Sequence, residues 1–163
     1  MQELVKIAID AMGGDNAPAE IVKGAVEAVN EHKEVKIFLV GKQDLIKKEL
    51  AQYTFDQARI EIVHAAQVID NNEHPVAAIR SKKDSSIVVA QKMVREGKAD
   101  AVISAGSTGA ILVGGQLVVG RIKGVERAPL AAIIPTTKGV SLLIDCGANV
   151  DARASHLLQF AKM

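Results

Sequence analysis

The sequence predicts an α/β fold built on a mostly parallel sheet. Three observations point there. Short β-branched runs alternate with amphipathic helical segments in the order β-α-β-α-β through the first third of the chain. The apolar residues are Val, Ile, Leu and Ala, with Phe38, Tyr53, Phe55 and Phe160 as the only aromatics, as suits strands buried on both faces. Several strands also run into loops of glycine and small polar residues before a helix opens, the connection that lines a ligand crevice in such sheets.

Residues Val5–Asp10 form a short β-branched strand. The loop Ala11-Met12-Gly13-Gly14-Asp15-Asn16-Ala17-Pro18 follows, and Pro18 fits the first turn of a helix because its missing N–H costs nothing there. Ile21, Val22, Ala25, Val26 and Val29 then recur with helical period over Ala19–Glu31. A second strand spans 35–40 and closes at Gly41, and a second helix spans 43–52 with Leu45, Ile46 and Leu50 on one face. Ile60–His64 is the third strand. The stretch 65–83 reads as irregular, with turn formers at Asp70, Asn71, Asn72 and Pro75 and a helical turn over 77–80. Asp84 or Ser85 caps a helix carrying Ile87, Val88, Ala90, Gln91 and Val94, which Gly97 stops.

Ala101–Ile103 is a buried strand, followed by the small-residue loop 104–109 and a helix over 110–119. The polar connector 120–127 holds Arg121, Lys123 and Arg127. Strands over 130–134 and 140–144 are spaced for a hairpin, one strand of which is expected to join the sheet antiparallel. A last helix begins near Asp151. No repeat, low-complexity segment or linker breaks the chain, and its 163 residues fit one α/β domain. The final helix stops without a C-cap glycine or polar tail, so Met163 is expected to be an interior point of a longer protein.

Composition excludes several classes. The formal net charge of +1 carries no bias toward nucleic acid, and scarce aromatics offer no stacking platform for single strands. The lone cysteine, Cys146, cannot form an internal disulfide, which suits a reducing cytoplasm. The opening Met-Gln-Glu-Leu-Val-Lys lacks the regions of a signal peptide, and no apolar run reaches the ~18 residues of a membrane span. A cytoplasmic protein is expected.

Three loops share one pattern: 10–16, 104–109 and 145–149 each follow a strand and precede a helix. Free N–H groups at a helix start, with the helix dipole, favour an anion such as phosphate. The small residues equally suit close packing of helix on sheet, and the residues alone leave both readings open. Known nucleotide signatures do not fit. Gly41-Lys42 and Gly97-Lys98 lack the rest of a P-loop, Gly13-Gly14-Asp15 is not G-x-G-x-x-G, and Ser107 lies in Gly-Ser-Thr-Gly, not in a nucleophile elbow. Asp10, Asp15 and Asp145 either orient a ligand or metal, or accept N–H bonds at strand ends. His32, His64, His74 and His156 lack metal-ligand spacing; His32 and His156 are expected to be solvated, and only His64 stands near a crevice. Cys146 is either a nucleophile or a small buried hydrophobe. The Arg80-Ser81-Lys82-Lys83 run is a solvated basic turn, or a receiver of phosphate or an acidic protein.

Four segments resemble the PlsX family of bacterial phosphate acyltransferases, which act in fatty acid and phospholipid synthesis. They are Ile9-Asp10-Ala11-Met12-Gly13-Gly14-Asp15-Asn16-Ala17-Pro18, Lys83-Asp84-Ser85-Ser86, Ser104-Ala105-Gly106-Ser107-Thr108-Gly109-Ala110 and Asp145-Cys146-Gly147-Ala148-Asn149. They occur in family order across nearly the whole chain. Ser107 stands where many relatives carry Asn, and the family runs to about twice this length, so the resemblance implies an N-terminal half. It further implies a three-layer α/β/α fold akin to the isocitrate and isopropylmalate dehydrogenases and the phosphotransacetylases. The implied activity is acyl transfer from acyl carrier protein to inorganic phosphate by a homodimer. No metal or organic cofactor is implied, and any peripheral membrane association would belong to the absent half.

On that resemblance Gly13, Gly14, Asp15, Asn16, Lys83, Ser85, Ser104, Gly106, Ser107, Thr108, Gly109, Asp145 and Asn149 are candidates for holding phosphate or substrate. Arg80, Lys82, Arg121, Lys123 and Arg127 are candidates for docking the acidic carrier protein, and no residue is assigned as acid or base. Two other readings stand beside this one: an isopropylmalate-dehydrogenase-like oxidoreductase, whose clustered Arg and Asp residues are not visible here, and an inert half-domain serving binding or assembly.

Overall fold

Strands apolar on both faces need cover on both sides, and the chain supplies it in the order it is written. The computed structural model describes residues 4–163; Met1, Gln2 and Glu3, part of the stretch read for a leader, lie outside the described residues. Strands β1 (Val5–Asp10), β2 (Val35–Gly41), β3 (Ile60–His64) and β4 (Ala101–Ile103) form one parallel sheet in the order β3-β2-β1-β4. Alternation along β2 splits its residues between two cores. Ile37 and Leu39 meet α1 (Ala19–Glu31) and α2 (Gln43–Leu50) through Val22, Val26, Val29, Ile46 and Leu50. Phe38 and Val40 face the other way, with Ala8, toward Ala90 and Met93 of α4 (Ser86–Arg95). A third cluster joins α3 (Pro75–Ser81), α4 and α5 (Thr108–Gly114) through Ile79, Ile87, Val88 and Ala110.

Elements whose apolar period is clean begin and end as predicted: β1, α1, β3 and β4. β4 is not the buried strand expected, however: as the edge of the sheet it leaves Ala101 and Ile103 exposed. The helical turn expected over 77–80 is longer, because Pro75 pre-sets the first turn of α3 and Ala78 and Ile79 are buried. The helix expected over 110–119 starts earlier, at Thr108, with Ser107 as N-cap, and passes into π geometry over Gly115–Val119. There the buried Gln91 of α4 donates from Nε2 to the Ile111 carbonyl at 3.1 Å and fills the space a side chain at position 114 would need. A side chain inserted against the ladder is a recognised cause of such bulges.

One expectation is overturned. β5 (Ala131–Thr136) and β6 (Gly139–Ile144) do pair antiparallel, but as a separate two-stranded sheet, and neither joins the parallel one. The two-residue link closes the pair locally, and the edge strand β4 offers only three residues to a newcomer. Ile133, Val140 and Leu142 share one face of the hairpin and are 72%, 74% and 61% exposed. The last helix, α6 (Ala154–Lys162), starts three residues later than expected. His156, expected to be solvated, is 4% exposed. Its Nδ1 accepts from the Arg153 N–H, and Nε2 lies 3.1 Å from a Glu126 carboxylate oxygen.

Leu39 is fully buried in the α1–α2 core. Leu39→Ala is expected to cost about 2–5 kcal/mol, read in urea denaturation as a lower midpoint at unchanged slope.

Candidate functional site

The connectivity itself marks a position. From β1 the chain winds outward through α1, β2, α2 and β3 with both helices on one face. It then returns through α4 on the opposite face to β4, on the other side of β1. The strand order therefore reverses between β1 and β4, and the carboxyl ends of those two strands open the crevice where such sheets bind ligands. Two of the three glycine loops leave from those ends. The third does not: the loop 145–149 follows a hairpin strand, so its expected place on the parallel edge is overturned.

Asp10 ties the two loops together. It is 3% exposed at the end of β1. One carboxylate oxygen accepts the Met12 N–H at 3.2 Å, and the other accepts the Ser104 hydroxyl at 2.8 Å. Ser104 Oγ in turn accepts the Gly106 N–H at 3.0 Å. Both readings of Asp10 thus meet in one side chain, which accepts a backbone N–H and positions a loop. Glycines let the loops touch. A Cβ on Gly13 would lie 2.5 Å from Asp10 Oδ2 and 3.0 Å from the Gly106 nitrogen, and Gly14 has φ +107 with Ala105 behind it.

Beyond this contact the second loop turns into α5. Ser107 is buried, and its Oγ accepts the Ala110 N–H at 3.3 Å. Among the described residues the N–H groups of Ser107, Thr108 and Gly109 make no hydrogen bond, as expected of the first donors of a helix. They border an open cleft of about 400 Å³ lined by Asn71, Glu73, Pro75, Gly106, Ser107, Thr108 and Gly109. Gly109 also fits against Pro75, where a Cβ would clash. Glu73 pairs with Lys82 at 2.6 Å and accepts the Asp70 N–H. The hydrogen bond from Lys82, more than any other influence, holds the Glu73 carboxyl below its ordinary range. The sequence reading missed Asn71, Glu73 and Pro75 as wall residues. Their one visible signal was the cluster of turn formers around 70–75.

The other candidates are spread out. Asp15 and Asn16 are exposed on the first loop. Lys83 donates from Nζ to the Ile79 carbonyl, and the fully buried Ser85 donates to the Lys82 carbonyl at 2.8 Å. These two bonds tie the start of α4 to the end of α3, while Asp84, which accepts the Ala66 N–H, and a backbone bridge from Gln67 to Ser85 tie it to the segment after β3. Lys82 also donates to the Val68 carbonyl. Arg80 is exposed on α3. Arg121 donates to the Glu126 carbonyl, while Lys123 and Arg127 are exposed in the same connector.

Asp145 accepts from the N–H groups of Leu130, Ala148 and Asn149 and from the Asn149 side chain, which also donates to the Ala128 carbonyl. It thereby pins the base of the hairpin to the loop. Burial alone would raise its pKa, but these hydrogen bonds together outweigh burial and hold the carboxyl below the usual range. Ala148 of this loop lines a smaller cavity, about 190 Å³, with Thr108 and Ile111. Cys146 is half-buried with Sγ 3.6 Å from the Leu143 carbonyl. His64 is exposed at the end of β3, its Nδ1 3.5 Å from the Gln43 N–H. Among the described residues no helix is long and apolar enough to cross a membrane.

Comparison with known proteins gives the family and the fold. A family model described as fatty acid synthesis protein matches residues 5–163. The phosphate acyltransferase of Clostridioides difficile is 54% identical over 98% of this chain, which covers 47% of that protein. The phosphate acyltransferase of Clostridium beijerinckii is 50% identical over 98% of the chain and 48% of its own length. The chain thus spans about half the length of the curated relatives it matches. Among solved structures, a phosphotransacetylase from Streptococcus pyogenes is similar with a TM-score of 0.73 at 16% identity, covering 97% of this chain and 51% of that one. The EutD phosphotransacetylase from Staphylococcus aureus gives 0.68 at 18% identity. At such identities the likeness shows the fold: α/β with a parallel sheet.

Two outcomes are expected. Gly13→Ala forces the two loops apart and should destabilise the protein by about 1–3 kcal/mol, measured by thermal or urea unfolding. The Asp145 carboxyl, followed by NMR, should titrate below the ordinary value of about 3.9. Its folded pKa is depressed, so its contribution to stability is present above the unfolded value and is lost as pH falls through the folded one. Asp145→Asn should remove that acid-side dependence.

Proposed function

The chain belongs to the fatty acid synthesis protein family, the phosphate acyltransferases that its sequence resembles, and from that premise we propose that it forms part of an enzyme moving a fatty acyl group from acyl carrier protein to inorganic phosphate. One observation carries the reading at the level of chemistry: two glycine loops meet at the switch point of a parallel sheet, beside three N–H groups without partners and an open cleft. Such a corner suits a phosphate.

The reaction asks little covalent work of the protein. A phosphate oxygen attacks the thioester carbonyl carbon, a C–O bond forms, the C–S bond breaks, and the thiolate leaves on the carrier. What the enzyme must supply is alignment of the two reactants and hydrogen bonds to the oxyanion. The N–H groups of Ser107, Thr108 and Gly109 and the exposed Thr108 hydroxyl are the donors in this proposal, with Gly13, Gly14 and Gly106 allowing close approach. Ser104 and Asp10 are positioning residues that hold the loops in register. Glu73 stands at the cleft wall, and its pairing with Lys82 offsets a carboxylate that would repel the anion. No metal or organic cofactor enters the scheme.

Carrier protein is acidic, and Arg80, Arg121, Lys123 and Arg127 are the exposed cations proposed to receive it; Lys82 is already paired. Asp145 and Asn149 serve the same site by fixing the hairpin loop next to α5, and Lys83 and Ser85 serve it by fixing the start of α4. Asp15 and Asn16 remain open to substrate on the first loop. The proposal includes a cytoplasmic homodimer, with this chain as one α/β domain of a longer polypeptide. Peripheral membrane association would belong to the remainder. The kinship with isocitrate and isopropylmalate dehydrogenases enters at the level of fold, and the comparisons do not favour a dehydrogenase activity.

The test is acyl phosphate formation from acyl carrier thioester and phosphate, by this chain alone and by this chain continued with the remaining half of the Clostridioides difficile relative. The continued form is expected to be active. Thr108→Ala, which removes the one side-chain donor of the cradle, should raise its KM for phosphate by about tenfold or more, the worth of a lost hydrogen bond to a charged group. An unchanged phosphate dependence would count against the cradle, and a continued form that folds without activity would overturn the reaction.

A further inference from the structure

The polar cleft at the start of α5 has an apolar neighbour. Thr108 lines both that cleft and the cavity of about 190 Å³ that Ala148 also borders. Counting i+3, i+4 and i+7 from Thr108 gives Ile111, Leu112 and Gly115, one stripe of a helix, and all three line the same cavity. Pro129 and Leu130, just before β5, complete its apolar wall. Among the described residues no charged side chain lines this space. Gly115 and Pro129 also border a further cavity of about 120 Å³. Its one charged lining residue among those described, Arg121, has its guanidinium engaged by the Glu126 carbonyl.

Gly115 is not small for the sake of packing. A Cβ there would meet nothing within 4 Å, and φ −54 with ψ −44 is ordinary helical backbone. At Gly114, by contrast, Gln91 fills the space. A glycine inside a helix is destabilising relative to alanine, and what position 115 provides is open width where the two cavities meet. Their sizes can be read in carbons. An apolar cavity of about 150 Å³ stays dry and takes a six-carbon ring, so the first space holds roughly seven or eight carbons and the second roughly five.

Resting on the acyl-transfer reading, we propose that this track is the fatty acyl subsite. The thioester carbonyl lies at Thr108, within reach of the N–H groups of the first turn. The alkyl chain runs along Ile111 and Leu112, and Gly115 is the passage that admits the carbons beyond about the eighth. The helix stripe thus carries donors at its first turn and only apolar groups after it. A fatty acyl thioester has the same order, a polar head followed by a tail that gains by leaving water. Gly115 is on this account a specificity-determining residue for chain length.

Alkylphosphonates carry a phosphate-like head and a tail of chosen length without reacting. Methyl-, butyl-, octyl- and dodecylphosphonate are titrated by calorimetry into this chain and into the chain continued with the remaining half of the Clostridioides difficile relative. The bound position is read from amide shifts in the ¹⁵N-labelled chain. All four are expected to shift Ser107, Thr108 and Gly109, and the longer two to shift Ile111, Leu112, Gly115 and Leu130 as well. The dissociation constant should fall at least twofold per added methylene in both forms, against the three- to fourfold of about full burial. Gly115→Leu should weaken dodecylphosphonate at least tenfold more than butylphosphonate. A tail that adds no affinity while methylphosphonate still binds at 107–109 overturns the inference and leaves the phosphate cradle standing; no binding there by any of the four removes the cradle and the inference with it. Tail-dependent shifts confined to the hairpin face at Ile133, Val140 and Leu142 overturn it, as does tightening in the chain alone that vanishes in the continued form, where polypeptide then fills the track. If Gly115→Leu does not fold, the unsubstituted chain decides, because dodecylphosphonate must then shift Gly115 and butylphosphonate must not. If the continued form does not fold, the intact relative takes its place in the titration, and a tail that adds no affinity there overturns the inference.

Discussion

The hydrogen bond from Ser104 to Asp10 is the constraint on which the candidate site depends. It joins the ends of two strands that are neighbours in the sheet and 94 residues apart in sequence. A buried carboxylate needs partners, and Asp10 finds them in the Met12 N–H and the Ser104 hydroxyl. Satisfying that one group sets the height of both loops. The glycines at 13 and 106 then become necessary, because the loops are brought too close for side chains between them. Packing and ligand approach, which the sequence presents as rival explanations for small residues, are here consecutive. Close packing of the loop backbones leaves the helix-start N–H groups of α5 bare and facing a cleft.

The rest of the N-terminal architecture maintains that junction. The α1–α2 core fixes β1 and β2 from one face and α4 fixes β1 from the other, while the α3–α5 contact at Pro75 and Gly109 sets the direction of the second loop. Gln91 reaches from α4 into the α5 segment and holds its Ile111 carbonyl. The hairpin and α6 are different in kind. Apolar side chains on the hairpin, and Leu157 and Leu158 on α6, stand in solvent, and a lone two-stranded hairpin is marginal in water. Its base is held by the polar Asp145 loop rather than by a core.

Most of the parallel sheet was legible in the sequence because its strands are short, β-branched and punctuated by glycine, and because α1 carries an uninterrupted apolar period. The loops at 13–14 and 104–109 were legible as a shared pattern, and their adjacency follows from strand order, which no local signal encodes. The hairpin was legible as a pair through its spacing, but not its separation from the sheet, since alternation says which strands pair locally and not what covers them. His156 was misread because a helix of mixed polarity hides which face is inward; Glu126, 30 residues away, decides it. Asn71 and Glu73 escaped because their place in the cleft wall arises from the return of the chain past α5. The proposed reaction could be read from the sequence only through the resemblance. Residue chemistry alone stopped at an anion site weighed against packing.

The most direct measurement is a phosphate titration of the ¹⁵N-labelled chain at constant ionic strength, followed at the backbone amides. Binding in the crevice between β1 and β4 predicts saturable shifts concentrated at Ser107, Thr108 and Gly109, with smaller ones at Gly13 and Gly14. Shifts confined to surface lysines, or none at the start of α5 at any phosphate concentration, would contradict it.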